Sequence, residues 1–338
     1  MPLDPNEIIA PPWTGGTPRT RPPTFSVLIP VHQGSATIGA AIDSVLDQTH
    51  PAHETIVCND GSTDDLEGAI APYRDGIVYV EQPNRGPAAA RNLAARQATG
   101  EFLALLDADD ALLPERLEKL GELGGLRPDL DLLSSDGYFE RGGVRVGTFN
   151  TAENPFPALD QRQAILQRNF FFPNPAVRRE RFLAIGGFDE TLRRAEDWDC
   201  WIRLILSGSK AGSVREPLGC YRLNESSLAS DRPRALRSRV VVLEKTAGRT
   251  DLYPADLDTL RLELAAQHKR ALLVEAEAAL LSGQKDARRI CWMIASDPTF
   301  AARTRVKVAL SAVAPGLSAR VLARADRDRM RRPLEGDS

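Results

Sequence analysis

The chain has 338 residues, 42% of them hydrophobic and 26% charged, which excludes a disordered or collagen-like protein and suits a main domain with an appendage. A formal net charge of -3 leaves no nucleic-acid footprint over the molecule as a whole. The four cysteines, Cys58, Cys200, Cys220 and Cys291, form no CxxC or CxH cluster, so they read as buried thiols of a reducing compartment and not as a disulfide frame or zinc site. The opening Met1-Pro2-Leu3-Asp4-Pro5 lacks the basic and apolar regions of a signal peptide. No window reaches about 18 uncharged apolar residues. The expectation is a cytoplasmic protein.

Residues 1–24 hold seven prolines and two adjacent glycines, and a loose leader is expected there. Phe25 to Val31 is a β-rich run, and Ile38, Ala41, Ile42, Val45 and Leu46 follow at helical spacing. A strand over Glu54–Cys58 runs into Asn59-Asp60-Gly61-Ser62-Thr63-Asp64, then come a helix near 64–74 and a strand over 76–80. Asn84-Arg85-Gly86-Pro87 makes a turn before an alanine-rich helix, Ala88 to Ala98. Strand–helix alternation at this spacing implies an α/β fold with right-handed crossovers and a mainly parallel sheet.

The next strand carries the strongest chemical signal. Phe102 to Leu106 is an apolar run that stops in Asp107-Ala108-Asp109-Asp110, three carboxylates within four residues. A buried parallel strand would deliver these acids to the carboxyl edge of the sheet, where open α/β folds bind ligands. Acids this close repel unless a cation sits among them, and a hard divalent ion is the usual answer; a solvated turn or helix cap is the competing reading.

Beyond this strand the pattern is less regular. Shorter strands are expected at Leu130–Asp136, Gly143–Asn150 and Gly219–Arg222. An aromatic patch, Asn169 to Pro173, precedes the turn Gly186-Gly187-Phe188-Asp189-Glu190. Ala195 to Leu204 opens a helix with acids in its first turn. From about 229 the chain reads as entirely helical, with a pair over 256–282 and 284–297 resembling one tetratricopeptide unit, though one pair makes no array. Residues 303–332 carry nine Lys or Arg against Asp326 and Asp328, interleaved with apolar residues. That pattern fits a helix lying on an anionic membrane surface as well as it fits a solvated helix with a basic end.

Taken in order, seven segments resemble the family 2 glycosyltransferases of the GT-A fold. They are Ser26 to Pro30, Ser44 to Thr49, Asn59 to Asp64, Asn84 to Asn92, Asp107 to Asp110, Gly186 to Glu190, and Glu196-Asp197. The resemblance implies a Rossmann-like, mainly parallel sheet flanked by helices over 25–228, with a nucleotide-binding half at 25–113 and an acceptor half at 114–228; the C-terminal helical region at 229–338, which no motif covers, is read from its pattern alone. It implies transfer of a single sugar, with inversion, from a nucleotide-diphosphate sugar to a glycan or lipid-linked saccharide, in surface polysaccharide assembly. Pro30, Val31, His32, Asn59, Asp60, Gly86, Arg91 and Asp107 would hold the nucleotide. Asp109 and Asp107 would face Mg2+ or Mn2+, with Asp110 assisting. Asp197 would be the general base, and Phe188, Asp189, Glu196 and Trp198 would shape the acceptor site.

Several positions depart from the family pattern. His32 stands where tyrosine is frequent, and Asn59 replaces a common aspartate. Many relatives carry histidine three residues after a Tyr-Arg pair; here the segment is Tyr221-Arg222-Leu223-Asn224, so Arg222 or Asn224 must substitute or the contact is absent. The Gln-x-x-Arg-Trp signature of processive synthases is missing. A sugar-phosphate nucleotidyltransferase would show a Gly-rich basic loop after the first strand, whereas Pro30 to Ser35 follows here. A catalytically inactive scaffold that still binds the donor is the remaining alternative.

Overall fold

A computed structural model of the chain describes residues 3–4, 7–13, 15–171, 175–223, 232–316 and 318–322. Its residues divide into two compact units, 1–224 and 225–337. The first unit is built on one sheet of ten strands.

The nucleotide half begins with β2 (Phe25–Val31), which pairs in parallel with β3 (Glu54–Asp60) on one side and β5 (Phe102–Leu105) on the other. Strand β4 (Val78–Gln82) extends the parallel set beyond β3. Helix α1 (Ile38–Leu46) buries Ile38, Ala41, Ile42 and Val45, the apolar face its spacing dictates, and leaves Leu46 exposed. After the short α2 (Leu66–Ile70), helix α3 (Pro87–Gln97) follows Gly86, with Pro87 at its first position. Its five buried alanines at 88–90, 94 and 95 bring its backbone close to β2 and β3. That closeness sinks Arg91 and Asn92 below the surface.

The acceptor half is mixed. Strand β6 (Ala111–Leu112) and helix α4 (Arg116–Leu126) lead to β7 (Leu132–Arg141) and β8 (Val144–Thr148). Helix α5 (Gln161–Gln167), β9 (Ala176–Arg178) and α6 (Arg179–Ala184) precede α7 (Glu196–Leu206) and the long β10 (Ala211–Arg222). The sheet order is β1-β10-β7-β9-β5-β2-β3-β4, where β9 runs antiparallel between β5 and β7. Strands β6 and β9 have no counterpart in the sequence reading. At two and three residues, they are too short for any periodicity.

The leader departs from expectation. Strand β1 (Ile8–Ile9) pairs with β10, Leu3 is buried in the core, and Arg19 donates to both carboxylate oxygens of Glu101 at 2.6 and 2.7 Å. Proline density limits regular structure, yet two residues of edge pairing and a few side-chain anchors hold this stretch against the domain.

The second unit contains α8 (Arg232–Ala247), α9 (Pro254–Leu281), α10 (Ala287–Ser296) and α11 (Ala302–Val313). Pro254 and Asp256, whose carboxylate accepts the Tyr253 amide, start α9. Ala276, Leu280, Ile290, Ile294 and Phe300 form its core. Among the described residues no helix is long and apolar enough to cross a membrane. All four cysteines are free and buried.

Candidate active site

The acid turn sits where β5 ends. Pairing of Ala111 with Cys220 and Leu112 with Gly219 lays the end of β10 beside it. The Arg222 amide then donates to Asp110 Oδ1 at 3.0 Å, and the Arg222 guanidinium reaches the Asp109 carbonyl oxygen at 3.3 Å. Of the two residues that could substitute for the family's histidine, Arg222 lies on the acid turn; Asn224 lies outside the described residues. Burial first, then the Asp107 and Asp109 charges, push the Asp110 carboxyl up to about 8. Tyr221 is raised to about 12 by burial and by Asp110, Asp107, Asp109 and Asp197, which puts its phenol in the field of all four acids.

Arg91 joins the two halves. Its Nη2 donates to Asp107 Oδ1 at 2.6 Å and its Nη1 to Glu196 Oε1 at 2.8 Å. Only 8% of Arg91 is exposed, so these are strong pairs, and either acid would be costly to leave without the cation. The sequence assigns Arg91 to the nucleotide and Glu196 to the acceptor. The structure pairs them with each other, Arg91 Nη1 donating to Glu196 Oε1.

Helix α7 starts at Ala195, whose φ of 57° is left-handed and unfavourable for a residue with a Cβ. Glu196 and Asp197 follow in the first turn. Burial, then Glu196, push Asp197 up to about 6, while the Trp198 amide and Arg91 pull it down and Asp107 adds a smaller upward push. Asn169 Nδ2 donates to Asp197 Oδ2 at 3.0 Å. Trp198 is buried and its indole donates to the Ile165 carbonyl at 2.8 Å, so it ties α7 to α5.

The turn over 186–190 is also structural. Asn92 receives the Phe188 amide on its Oδ1 and donates to the Phe188 carbonyl, while Glu190 accepts from Arg85 and Asn92. A Cβ at Gly187, whose φ is +72°, would sit 2.5 Å from Asn92 Oδ1, so the turn requires glycine. The Phe188 ring is buried and packs under the Arg91 guanidinium at 5.6 Å. Asp189 caps its own turn by accepting from the Thr191 amide and hydroxyl. Phe188, Trp198 and Glu196, expected at the acceptor, thus hold the frame of the site.

The nucleotide turns show the same pattern. Asp60 accepts from Gln82 and from the Arg85 and Gly86 amides, and Asn59 accepts the Ser62 amide and donates to Tyr79. Both side chains, expected on the base, build the turns that would present backbone to it. Gln33 accepts the Thr63 and Asp64 amides, and Asp64 accepts the Ser35 amide, which holds its carboxyl below the usual range. Pro30 and Val31 end β2 opposite Cys58 and Asn59. His32 is exposed, with Asn84 Nδ2 3.0 Å from its Nε2.

Among the described residues no three acid, imidazole or thiol groups form a ready cage for an ion. Mg2+ needs none when one or two carboxylates and the substrate's phosphates complete its shell. Asp107 and Asp109 fit that role. Asn169 and Tyr221 receive no role at the site from the sequence, and only folding brings them to Asp197 and the acid turn.

Residues 26–182 match the family described as Glycosyl transferase family 2. The chain is 28% identical over 212 residues to an uncharacterized glycosyltransferase of Haemophilus influenzae, covering 61% of this chain and 71% of that protein. It is 27% identical over 223 residues to the UDP-Glc:alpha-D-GlcNAc-diphosphoundecaprenol beta-1,3-glucosyltransferase WfgD of Escherichia coli, covering 64% and 84%. It spans 33% of the length of longer Rickettsia relatives. S. aureus TarS 1-349 in complex with UDP-GlcNAc superposes with a TM-score of 0.59 at 18% identity, covering 90% of this chain and 92% of that one, a likeness of fold. Residues 26–182 therefore match a family 2 glycosyltransferase domain, carried on a GT-A fold.

Proposed function

We propose that this glycosyltransferase moves one sugar from a nucleotide-diphosphate sugar to a hydroxyl of a glycan or lipid-linked saccharide, with inversion, in surface polysaccharide assembly. The observation that carries the reading is Asp197, a carboxyl raised to about 6 and linked through Glu196 and Arg91 to the acid turn. A base of that strength is largely ionised at neutral pH yet still takes a proton in the transition state. Asp197 accepts the proton of the acceptor hydroxyl while that oxygen bonds to the anomeric carbon. The bond to the diphosphate breaks on the opposite face, and one displacement inverts the centre. Asp107 and Asp109 would hold Mg2+ or Mn2+, which when bound supplies Lewis-acid stabilisation to the departing diphosphate. Arg91 keeps Asp107 and Glu196 in register throughout. The donor and acceptor classes draw support from WfgD, named for a UDP-Glc donor and a diphosphoundecaprenol acceptor, and from TarS in complex with UDP-GlcNAc.

A thermal-shift screen of UDP-glucose, UDP-N-acetylglucosamine and GDP-mannose with and without MnCl2 tests the donor side. At about 100 times its Kd, a true donor stabilises the folded protein by about 2.7 kcal/mol. Asp109→Asn should lose the Mn-dependent part of that gain. Stabilisation unchanged in Asp109→Asn would remove the metal from the reading.

The second unit supports peripheral contact with the inner face of the cell membrane. Helix α11 leaves Val306, Leu310 and Val313 exposed along one face, with Arg303 and Lys307 beside them and no acid between 302 and 322. Residues 323–332, which hold the rest of the basic segment, lie outside the described residues. Leu310→Glu should weaken cosedimentation with phosphatidylglycerol vesicles severalfold without changing donor turnover; equal sedimentation of both proteins would refute the contact.

A further inference from the structure

The Asp197 carboxylate is held from outside its own helix by one side-chain amide. Asn169 lies two residues beyond the end of α5, and its Nδ2 reaches Asp197 Oδ2 at 3.0 Å across 28 residues of sequence. The orientation of that amide is fixed independently. The Phe171 amide donates to Asn169 Oδ1 at 3.2 Å, so the NH2 group is the end left to face Asp197.

The segment that carries Asn169 is locked onto α7. Phe170 and Phe171 are fully buried, their rings 4.6 Å apart, and Phe171 packs 5.7 Å from Trp201 one helical turn beyond Asp197. One turn earlier, the Trp198 indole donates to the Ile165 carbonyl. The α5 segment and α7 are thus tied by a ring contact and by hydrogen bonds from Asn169, from Trp198 and, at the far end of α7, from Arg162 Nη1 to the Leu206 carbonyl at 2.7 Å. Such rigid support is what a reacting carboxylate needs, since a group free to rotate loses most of its advantage of placement.

We propose that Asn169 is the positioning residue of the catalytic base: its amide fixes the rotation of the Asp197 carboxylate and favours the ionised form that accepts the acceptor's proton. This inference rests on Asp197 being the base. The other groups that face Asp197 are Glu196 and the Trp198 amide from α7, Arg91 from α3, Asp107 from the end of β5 and Tyr221 from β10. Arg91 divides its two Nη groups between Asp107 and Glu196, whereas Asn169 donates directly to Asp197. Glu196 and Asp107 add negative charge. A neutral donor therefore offsets repulsion without neutralising the base, as a second arginine would.

The test is an isosteric swap in the full-length chain. In Asn169→Asp one carboxylate oxygen still accepts the Phe171 amide, while the other replaces a donor by an acceptor beside Asp197. The Asp197 titration is read directly by carboxyl 13C NMR of aspartate-labelled protein, its resonance assigned by its absence in Asp197→Asn. Loss of a donor to the charged form raises the pKa. Two facing carboxylates raise it further, so the Asp197 midpoint should move up by about one pH unit or more in Asn169→Asp, and by less in Asn169→Ala. The ascending limb of kcat for release of the nucleoside diphosphate, measured with the donor selected by the thermal screen, should move with it. KM for that donor should stay within about twofold, because the variant touches only the acceptor's proton. A structural role alone would lower the melting temperature and leave the midpoint in place.

Two results overturn the inference: an Asp197 midpoint that stays put in both folded variants, or a shifted midpoint with an unmoved kcat limb. The parent reading fails separately. If Asp197→Asn retains turnover, Asp197 is not the base whatever Asn169 does; if that variant is inactive and the Asn169 variants titrate like wild type, only this inference is lost.

Discussion

Asp60 and Asp64 of the nucleotide half and Asp197 of the acceptor half are used in opposite ways. In the nucleotide half Asp60 and Asp64 are occupied by backbone amides of neighbouring turns, and Asp64 is held below the usual carboxylate range. In the acceptor half Asp197 is driven up to about 6 by burial beside Glu196. A carboxylate that receives several amides has become part of the scaffold, while one that is buried near like charge is poised to exchange a proton. Motif acids of similar appearance in the sequence therefore divide into builders and reagents, and the acid turn at Asp107 to Asp110 lies between the two groups.

The sharpest way to break this contrast is Asp197→Asn. Loss of a general base should reduce kcat about 100- to 10,000-fold, while the thermal stabilisation by donor persists. In wild type, kcat should rise with pH through about 6, because the carboxylate accepts a proton only when ionised and its raised midpoint sets the limb. A flat profile from pH 5 to 8 would move Asp197 into the builders.

Arg91→Met tests the junction. Removing a cation that is 8% exposed leaves Asp107 and Glu196 facing each other without compensation, with an expected loss of about 3–5 kcal/mol in denaturant unfolding. A loss below about 1 kcal/mol would mean that the two halves are held together elsewhere, by the Asn92–Phe188 contacts for example.

Asp60→Asn should have the smallest effect. The amide keeps one acceptor but turns an NH2 toward a backbone N–H, at a cost of about 1–3 kcal/mol. Because that turn would present backbone to the donor, KM for the donor should rise while kcat changes little. A kcat loss comparable to that of Asp197→Asn would erase the distinction between the halves.

Much of the nucleotide half was legible because its signals are local. The apolar spacing of α1 and the run before Asp107 correspond to one face of a helix and one buried strand, and they appear with nearly the expected bounds. The acceptor half was harder to read. Strands β6 and β9 exist only because longer partners await them, and the leader is held by pairing with β10, more than 200 residues away in sequence. The site followed the same division. Asp107, Asp109 and Asp197 stood out by residue type and order, whereas Phe188 and Trp198 carried the right motif and proved to be packing.

By itself the sequence determined the parallel nucleotide half, the acid turn at its edge and the identity of the second acid on α7. These depend on periodicity and on chemistry carried by adjacent residues. Only the tertiary structure decided which acids are satisfied and which are poised, that Arg91 clasps Asp107 to Glu196, and that Asn169 attends Asp197. Hydrogen bonding and desolvation are properties of a neighbourhood, and a neighbourhood assembled from residues 91, 107, 169 and 197 does not exist until the chain has folded.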